Sequence, residues 1–139
     1  MELLPVEKAV TTTTPRATVR LWRPARGVLV TRVDGYLDDA GAAAIEAMAR
    51  RVVAEDGRIT GFHDWEALTD YESAARTRLT DMARHLMKST ESAHFIVRSK
   101  LVTLGIQAAS VVLPGLRVHN TRPGFEAALR ESVLRMRPA

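Results

Sequence analysis

Cysteine is absent from this sequence, and the absence excludes several kinds of chemistry. A chain without cysteine has no disulfide bond, no thiolate ligand for zinc and no cysteine nucleophile. Aromatic residues make up only 5% of the sequence, and basic residues never occur in runs longer than a pair. Nucleic-acid-binding proteins commonly place aromatic side chains among basic ones. We therefore do not expect a nucleic acid as the partner.

Long apolar stretches are also missing. No stretch approaches the ~18 apolar residues that cross a membrane as a helix. The first ten residues contain Glu2 and Glu7 and lack the basic start and apolar centre of a signal peptide. We therefore expect a cytoplasmic protein without a membrane span.

Recognisable catalytic motifs are lacking as well. The sequence contains no Gly-x-Ser-x-Gly nucleophile motif, no glycine-rich phosphate loop and no short histidine spacing typical of a metal site. We predict no catalytic residues, no cofactor and no metal. A non-enzymatic binding or regulatory domain is the expected class.

The composition that is present is that of a globular domain rich in arginine. The 139 residues are 46% hydrophobic and 26% charged, which suits one domain with its own core. The net charge is +4, and only three of the 20 basic residues are lysine. Codon bias is the favoured explanation for the excess of arginine, and an anionic partner is the alternative.

Apolar periodicity predicts an α/β domain at residues 17–139, after a flexible tail at residues 1–16. The tail contains four threonines and a proline at 11–15 and has no apolar period. From residue 17 the pattern predicts the order ββαβαβαβα. Its five strands are expected at 18–22, 28–33, 59–65, 93–97 and 116–119. The first two form an antiparallel hairpin and the helical connections make the others parallel, so the prediction is one five-stranded mixed sheet.

The predicted helices have recognisable first residues and apolar faces. Asp38, Ser99 and Thr121 have the side chains that cap helices, and Thr69 with Glu72 has the spacing of a capping box for the second helix. The second helix is expected to bury Ala75, Leu79, Met82 and Leu86. The third helix carries Leu104, Ala108, Val111 and Val112.

Two short stretches and the element order carry a family resemblance. Residues 33–38 (Val-Asp-Gly-Tyr-Leu-Asp) match a strand, glycine and helix start, and residues 125–129 (Phe-Glu-Ala-Ala-Leu) match a closing helix. Over residues 17–134 the chain resembles the STAS family of anti-sigma-factor antagonists and sulphate-transporter tails. It is most similar to the divergent bacterial branch grouped as STAS-like or CRAL-TRIO-like. The resemblance implies a SpoIIAA-like fold and a regulatory protein that binds a protein partner.

One departure from the family concerns its phosphorylation motif. Typical antagonists carry a phosphorylatable serine after an aspartate where the third strand leads into the second helix. Here Asp70 matches the aspartate, but Tyr71 occupies the serine position and the motif's glycine is missing. The family's phosphoserine switch is therefore not expected at Tyr71, and Ser73 is the alternative site.

The residues around this motif are predicted to form a protein-binding corner. Aromatic and arginine side chains are enriched among the residues that anchor protein interfaces. Trp65 is either such an anchor or a residue of the domain's own core, and the sequence leaves both open. The predicted corner consists of Trp65, Glu66, Asp70, Tyr71, Ser73 and Arg76.

A second candidate site is the edge where the parallel strands end. Ligands of open α/β sheets bind at the carboxyl ends of the strands. Residues expected at this edge are His63, Asp64, Ser99, Lys100, His119 and Asn120.

The sequence therefore supports two functions. The first is an adaptor that docks a protein partner at the corner, and the alternative is a small-molecule or lipid carrier with a cavity beneath the third helix. A closed core with an exposed Trp65–Tyr71 corner would favour the adaptor, and a cavity lined by the second and third helices would favour the carrier. Either function is compatible with a homodimer.

Overall fold

The computed structural model describes residues 9–136, in which strands and helices alternate along most of the chain. The strands are β1 Val10–Thr13, β2 Ala17–Ala25, β3 Val28–Leu37, β4 Ile59–Trp65, β5 Leu68–Tyr71, β6 Thr90–Val97 and β7 Leu116–His119. The helices are α1 Asp39–Asp56, α2 Ser73–His85, α3 Lys100–Ser110 and α4 Arg122–Met136. One turn of 3₁₀ helix, Met87–Ser89, joins α2 to β6.

The strands form one mixed sheet, as the sequence predicts. The order across the sheet is β1-β2-β3-β4-β6-β7, and β5 pairs with the end of β3. The pairings of β1, β2 and β3 are antiparallel, and those among β3, β4, β6 and β7 are parallel. Connections of the strand–helix–strand type are right-handed in nearly all proteins, and this strand order allows that handedness.

The predicted number of five strands is wrong, because the described residues contain seven. The additional β1 lies inside the segment predicted as a tail, and residues 1–8 of that segment lie outside the described residues. β1 is an edge strand with mostly exposed threonines, so backbone pairing with β2 forms it without an apolar pattern. The additional β5 continues the course of β4 along β3 after a short turn.

The predicted capping box is also wrong. Thr69 lies in β5, where its hydroxyl donates to the carbonyl oxygen of Gly35 at 3.0 Å. The Glu72 carboxylate accepts a hydrogen bond from the backbone amide of Asp39 at 3.0 Å. The first amides of α1 have no partner within that helix, and tertiary packing brings one of them within reach of Glu72. Asp38 caps α1 as predicted, accepting from the amide of Gly41 at 3.0 Å.

The two faces of the sheet have separate cores. Helices α1, α2 and α3 pack on one face, around residues such as Val33 and Phe95. Helix α4 packs on the other face through Phe125, Leu129 and Val133. Because successive residues of a strand point to opposite faces, each strand in the middle of the sheet contributes to both cores.

Helix α3 buries a different side from the one that its most apolar positions suggest. Val102 and Ile106 face the core, whereas Leu104 is 61% exposed. Ala108 is also exposed, as are Val111 at 84% and Val112 at 54% just after the helix. Apolar residues lie on both sides of this helix, so periodicity alone does not distinguish the buried side from the exposed one.

We expect Ile96→Ala to lower the free energy of unfolding by about 2–5 kcal/mol, because the substitution opens a hole in the packed core between β6 and α4. Ile96 is 3% exposed and belongs to the α4 core. Leu104→Ala is the control and should cost no more than about 0.5 kcal/mol. Urea unfolding of both variants checks this, and equal losses would contradict the assignment of the buried faces.

Candidate functional site

A cavity of about 160 Å³ lies between the sheet and helices α2 and α3. Its sheet side includes Gly61, His63 and Trp65 of β4 and Ala93 and Phe95 of β6. The side chains that line it from the two helices are predominantly apolar. They include Leu79, Met82 and Ala83 of α2 and Val102, Gly105, Ile106 and Ala109 of α3.

The cavity lies against the face of α2 that the sequence predicts to be buried. Ala75 is buried as expected. The other three residues of the predicted inward face of α2, Leu79, Met82 and Leu86, are only half-buried and line the cavity. Small residues at Ala83, Ala93 and Ala109 leave this space unfilled.

Two glycines in the cavity lining make room for polar side chains. A Cβ at Gly61 would lie 2.7 Å from Nε2 of His63. A Cβ at Gly105 would lie 1.8 Å from the hydroxyl oxygen of Tyr71, which is closer than atoms can approach. The imidazole of His63 therefore lies over Gly61, and the phenol of Tyr71 lies against the backbone of α3.

Three polar side chains in the core form a directed chain of hydrogen bonds. Trp65 is 8% exposed, and its Nε1 donates to Oγ1 of Thr31 at 3.0 Å. The same Oγ1 lies 2.7 Å from Nδ1 of His63. An indole N–H only donates, so Oγ1 of Thr31 accepts from Trp65. Thr31 is fully buried, and within residues 9–136 Nδ1 of His63 is the acceptor available to its hydroxyl proton, so we assign Thr31 as the donor to His63. This order places the proton of the neutral imidazole on Nε2, the nitrogen beside Gly61.

His63 is neutral at physiological pH. Burial, with a smaller contribution from His94, lowers the pKa of His63 to about 3. The ring also contacts two aromatic neighbours, with centroid distances of 4.7 Å to Phe95 and 5.1 Å to Trp65. The cavity therefore contains an uncharged hydrogen-bond donor in aromatic surroundings.

The neighbouring Asp64 faces the opposite side of the sheet. Asp64 is 6% exposed, and its carboxylate pairs with Arg32 at 3.0 Å and with Arg122 at 2.8 Å. Glu66 also pairs with Arg122. Because His63 and Asp64 point to opposite faces, they do not form an acid–base pair.

The residues predicted at the ligand edge lie in different surroundings. His119 lies on the α4 side, where its Nε2 is 2.8 Å from Nδ1 of His94. Ser99 caps α3 through the amide of Val102, and Lys100 and Asn120 are exposed. Of the six predicted edge residues, His63 alone lines the cavity. Alternation along the strands, which the edge prediction ignored, places Asp64 and His119 on the opposite face of the sheet.

The predicted corner is likewise divided. Trp65, Tyr71 and Arg76 line the cavity, and the burial of Trp65 shows that it belongs to the core. Asp70 accepts a hydrogen bond from the backbone amide of Tyr71 at 2.8 Å, and Ser73 is exposed as the first residue of α2. A protein-binding role for these residues stays a prediction.

Three solved structures share this architecture. A protein of the DUF3478 family with a SpoIIAA-like fold, from Shewanella loihica PV-4, is 14% identical with a TM-score of 0.61, over 86% of this chain and 98% of that chain. The anti-sigma factor antagonist SpoIIAA in its unphosphorylated form is 18% identical with a TM-score of 0.65, over 82% and 97%. An anti-sigma factor antagonist from Mycobacterium paratuberculosis is 22% identical with a TM-score of 0.58, over 86% and 99%.

The chain has the SpoIIAA-like fold. This confirms the resemblance seen in the sequence, at the level of the fold. No family model matches the chain, and a comparison with curated proteins finds no match.

The SpoIIAA-like domain contains two functional candidates that the sequence analysis missed. Thr31 is fully buried within the apolar strand β3, and only the structure shows that it joins Trp65 to His63. Gly61 could have been identified from the sequence, because glycine inside a strand often marks a close approach of another group. Within residues 9–136 no group of three or more acidic or histidine residues could hold a metal, and no helix is long and apolar enough to cross a membrane.

We expect the free energy of unfolding to fall as the pH is lowered from 6.5 to 5. Burial lowers the pKa of His63 to about 3 and that of His94 to about 4, so the folded chain keeps both rings neutral in this range. The unfolded chain protonates each ring below about pH 6.5. Protonation of the unfolded chain therefore leaves the free energy of unfolding unchanged above pH 6.5. Towards pH 4 it lowers that free energy by up to about 1.4 kcal/mol per pH unit for each ring.

Urea unfolding between pH 7 and pH 5 measures this slope. His94→Phe should reduce it, since one contributing ring is removed, while His63 and His119, whose pKa burial also lowers, remain. His85→Gln, at an exposed position of α2, is the matched control and should keep the full slope. An equal slope in all three proteins would contradict the assignment to the buried histidines.

Proposed function

We propose that this chain is a non-enzymatic binding domain that holds a small apolar ligand in the cavity beneath α2 and α3. The cavity is the observation that carries the proposal. Its lining is predominantly apolar and it is partly open to solvent, so a ligand can enter it and bury apolar surface there.

The size and lining of the cavity support a small molecule rather than a whole lipid. An engineered apolar cavity of about 150 Å³ binds benzene, whereas sites for drug-sized ligands measure about 300–1,000 Å³. A cavity of about 160 Å³ therefore suits a single ring or a short chain. The sequence favoured a protein-docking corner first, but the buried Trp65 and a cavity lined by α2 and α3 are the observations that favour the carrier.

Trp65 offers a direct optical signal for ligand binding. The chain has two tryptophans, and Trp22 would add background fluorescence. Nε1 of Trp22 is buried without a hydrogen-bond partner among the described residues. Trp22→Phe removes that unsatisfied donor, so the variant should fold normally and leave Trp65 as the reporter.

We expect iodobenzene to quench Trp65 fluorescence saturably in the Trp22→Phe protein, because its ring fits the cavity and its heavy atom quenches indole emission. Adding Ala109→Leu, which fills the cavity from α3, should weaken binding at least about tenfold through steric overlap. Ala108→Leu is the matched control, because the adjacent Ala108 is exposed and does not line the cavity. Equal binding by both leucine variants would contradict the proposal.

A second candidate function is docking of a protein partner beside the start of α2. Two proteins with the same fold are anti-sigma factor antagonists, and this likeness favours a protein partner. Arg76 is exposed, forms no ion pair within residues 9–136, and lies one turn after the exposed Ser73. These two residues are accessible to a partner, unlike Trp65.

We expect Arg76→Glu to reduce capture of such a partner from a lysate of the native host, because the substitution reverses an exposed charge at the docking surface. The loss should be greater in 20 mM than in 300 mM salt, since exposed charges interact within a Debye length of about 10 Å at 0.1 M. Arg84→Glu, also exposed on α2, is the matched control. Quantitative mass spectrometry measures the captured proteins, and equal losses in both variants would contradict specific docking at Arg76.

A further inference from the structure

We infer that the cavity selects an uncharged ligand with a carbonyl oxygen, and that Nε2–H of His63 donates a hydrogen bond to that oxygen. The inference rests on the proposed cavity function and adds the chemical class of the ligand. It follows from Nε2 of His63, a polar atom that forms no hydrogen bond within residues 9–136.

The first observation is that the proton of His63 is held on the cavity side. Nδ1 is occupied by the hydroxyl of Thr31 at 2.7 Å, and that hydroxyl is itself fixed by Nε1 of Trp65 at 3.0 Å. The remaining ring nitrogen, Nε2, therefore carries the hydrogen. It lies over Gly61, which also lines the cavity.

The second observation is that this donor lacks a protein acceptor. Within residues 9–136 no hydrogen bond is formed by Nε2 of His63, although the ring lines a predominantly apolar cavity. His63 is half-buried, so this donor is open to a ligand, and an oxygen placed near Gly61 would accept a hydrogen bond from it.

The surroundings favour an uncharged acceptor over a carboxylate. The imidazole is neutral, and Arg76, the sole cationic side chain among those that line the cavity, is exposed. A buried anion without a paired cation costs several kcal/mol. Aromatic rings of Trp65 and Phe95 beside His63 suit a flat ligand body. A small aryl ketone has these properties together.

A matched pair of probes tests this class. Acetophenone and α-methylstyrene have the same shape, and they differ in having C=O or C=CH₂ at one position. Titration of Trp65 fluorescence in the Trp22→Phe protein, and in the same protein with His63→Leu, gives the affinity ratio of the two probes. Comparing this ratio between the two proteins cancels the difference between the probes in the free energy of transfer out of water.

We expect His63→Leu to lower the affinity ratio of acetophenone to α-methylstyrene by about tenfold or more, because the ketone oxygen would then be buried without a donor. His85→Leu, at an exposed histidine, should leave the ratio unchanged. If both probes bind and His63→Leu keeps the ratio, the cavity function stands and the carbonyl class is overturned. If neither probe binds, the proposed function and this inference both fail.

A spectroscopic measurement keeps the test valid even if His63→Leu does not fold. Histidine ring ¹⁵N–¹H spectra of the otherwise native protein should show His63 with its proton on Nε2, and acetophenone should move that proton's resonance downfield. α-Methylstyrene should not. A proton on Nδ1, or a resonance that acetophenone leaves in place, would overturn the inference.

Discussion

The ion pairs of the buried Asp64 carboxylate set the arrangement on which the cavity depends. Burying a charge costs several kcal/mol unless a partner compensates it, and Asp64 is compensated by Arg32 from β3 and Arg122 from α4. The first turn of α4 is thereby held against one face of β4. Strand alternation then directs His63 and Trp65 to the other face, beneath α2 and α3. One strand thus supplies the attachment of α4 on one side and the polar lining of the cavity on the other.

The parts of the fold that local patterns specify could be predicted from the sequence. The hairpin, the alternation of parallel strands with helices, and the caps at Asp38 and Ser99 follow from periodicity and from residues close in sequence. Prediction was wrong where long-range contacts decide the outcome. Glu72 has the right spacing to cap its own helix, yet it bonds an amide 33 residues earlier. β1 depends on backbone pairing with β2, which threonine side chains do not signal.

The candidate site was predicted only in fragments, for the same reason. Trp65, Tyr71, Arg76 and His63 were identified, but the sequence assigned them to an exposed corner or a strand edge rather than to one interior space. A cavity is defined by side chains too small to fill it, and no pattern in a single sequence distinguishes a small residue facing a void from one facing a close neighbour. Two SpoIIAA-like relatives in fold are anti-sigma factor antagonists, but fold similarity alone does not assign function.

Arginine makes every ion pair within residues 9–136, including those that join separate elements such as Arg78 with Asp39 and Arg23 with Asp56. Lys88 and Lys100, the lysines of this part of the chain, are exposed and take no part in ion pairs. Within residues 9–136, amine-reactive dyes and cross-linkers would therefore attach between α2 and β6 and at the start of α3 without breaking an ion pair. Reagents that modify guanidinium groups would do the opposite, so the choice of labelling chemistry decides whether a tagged sample keeps its native structure.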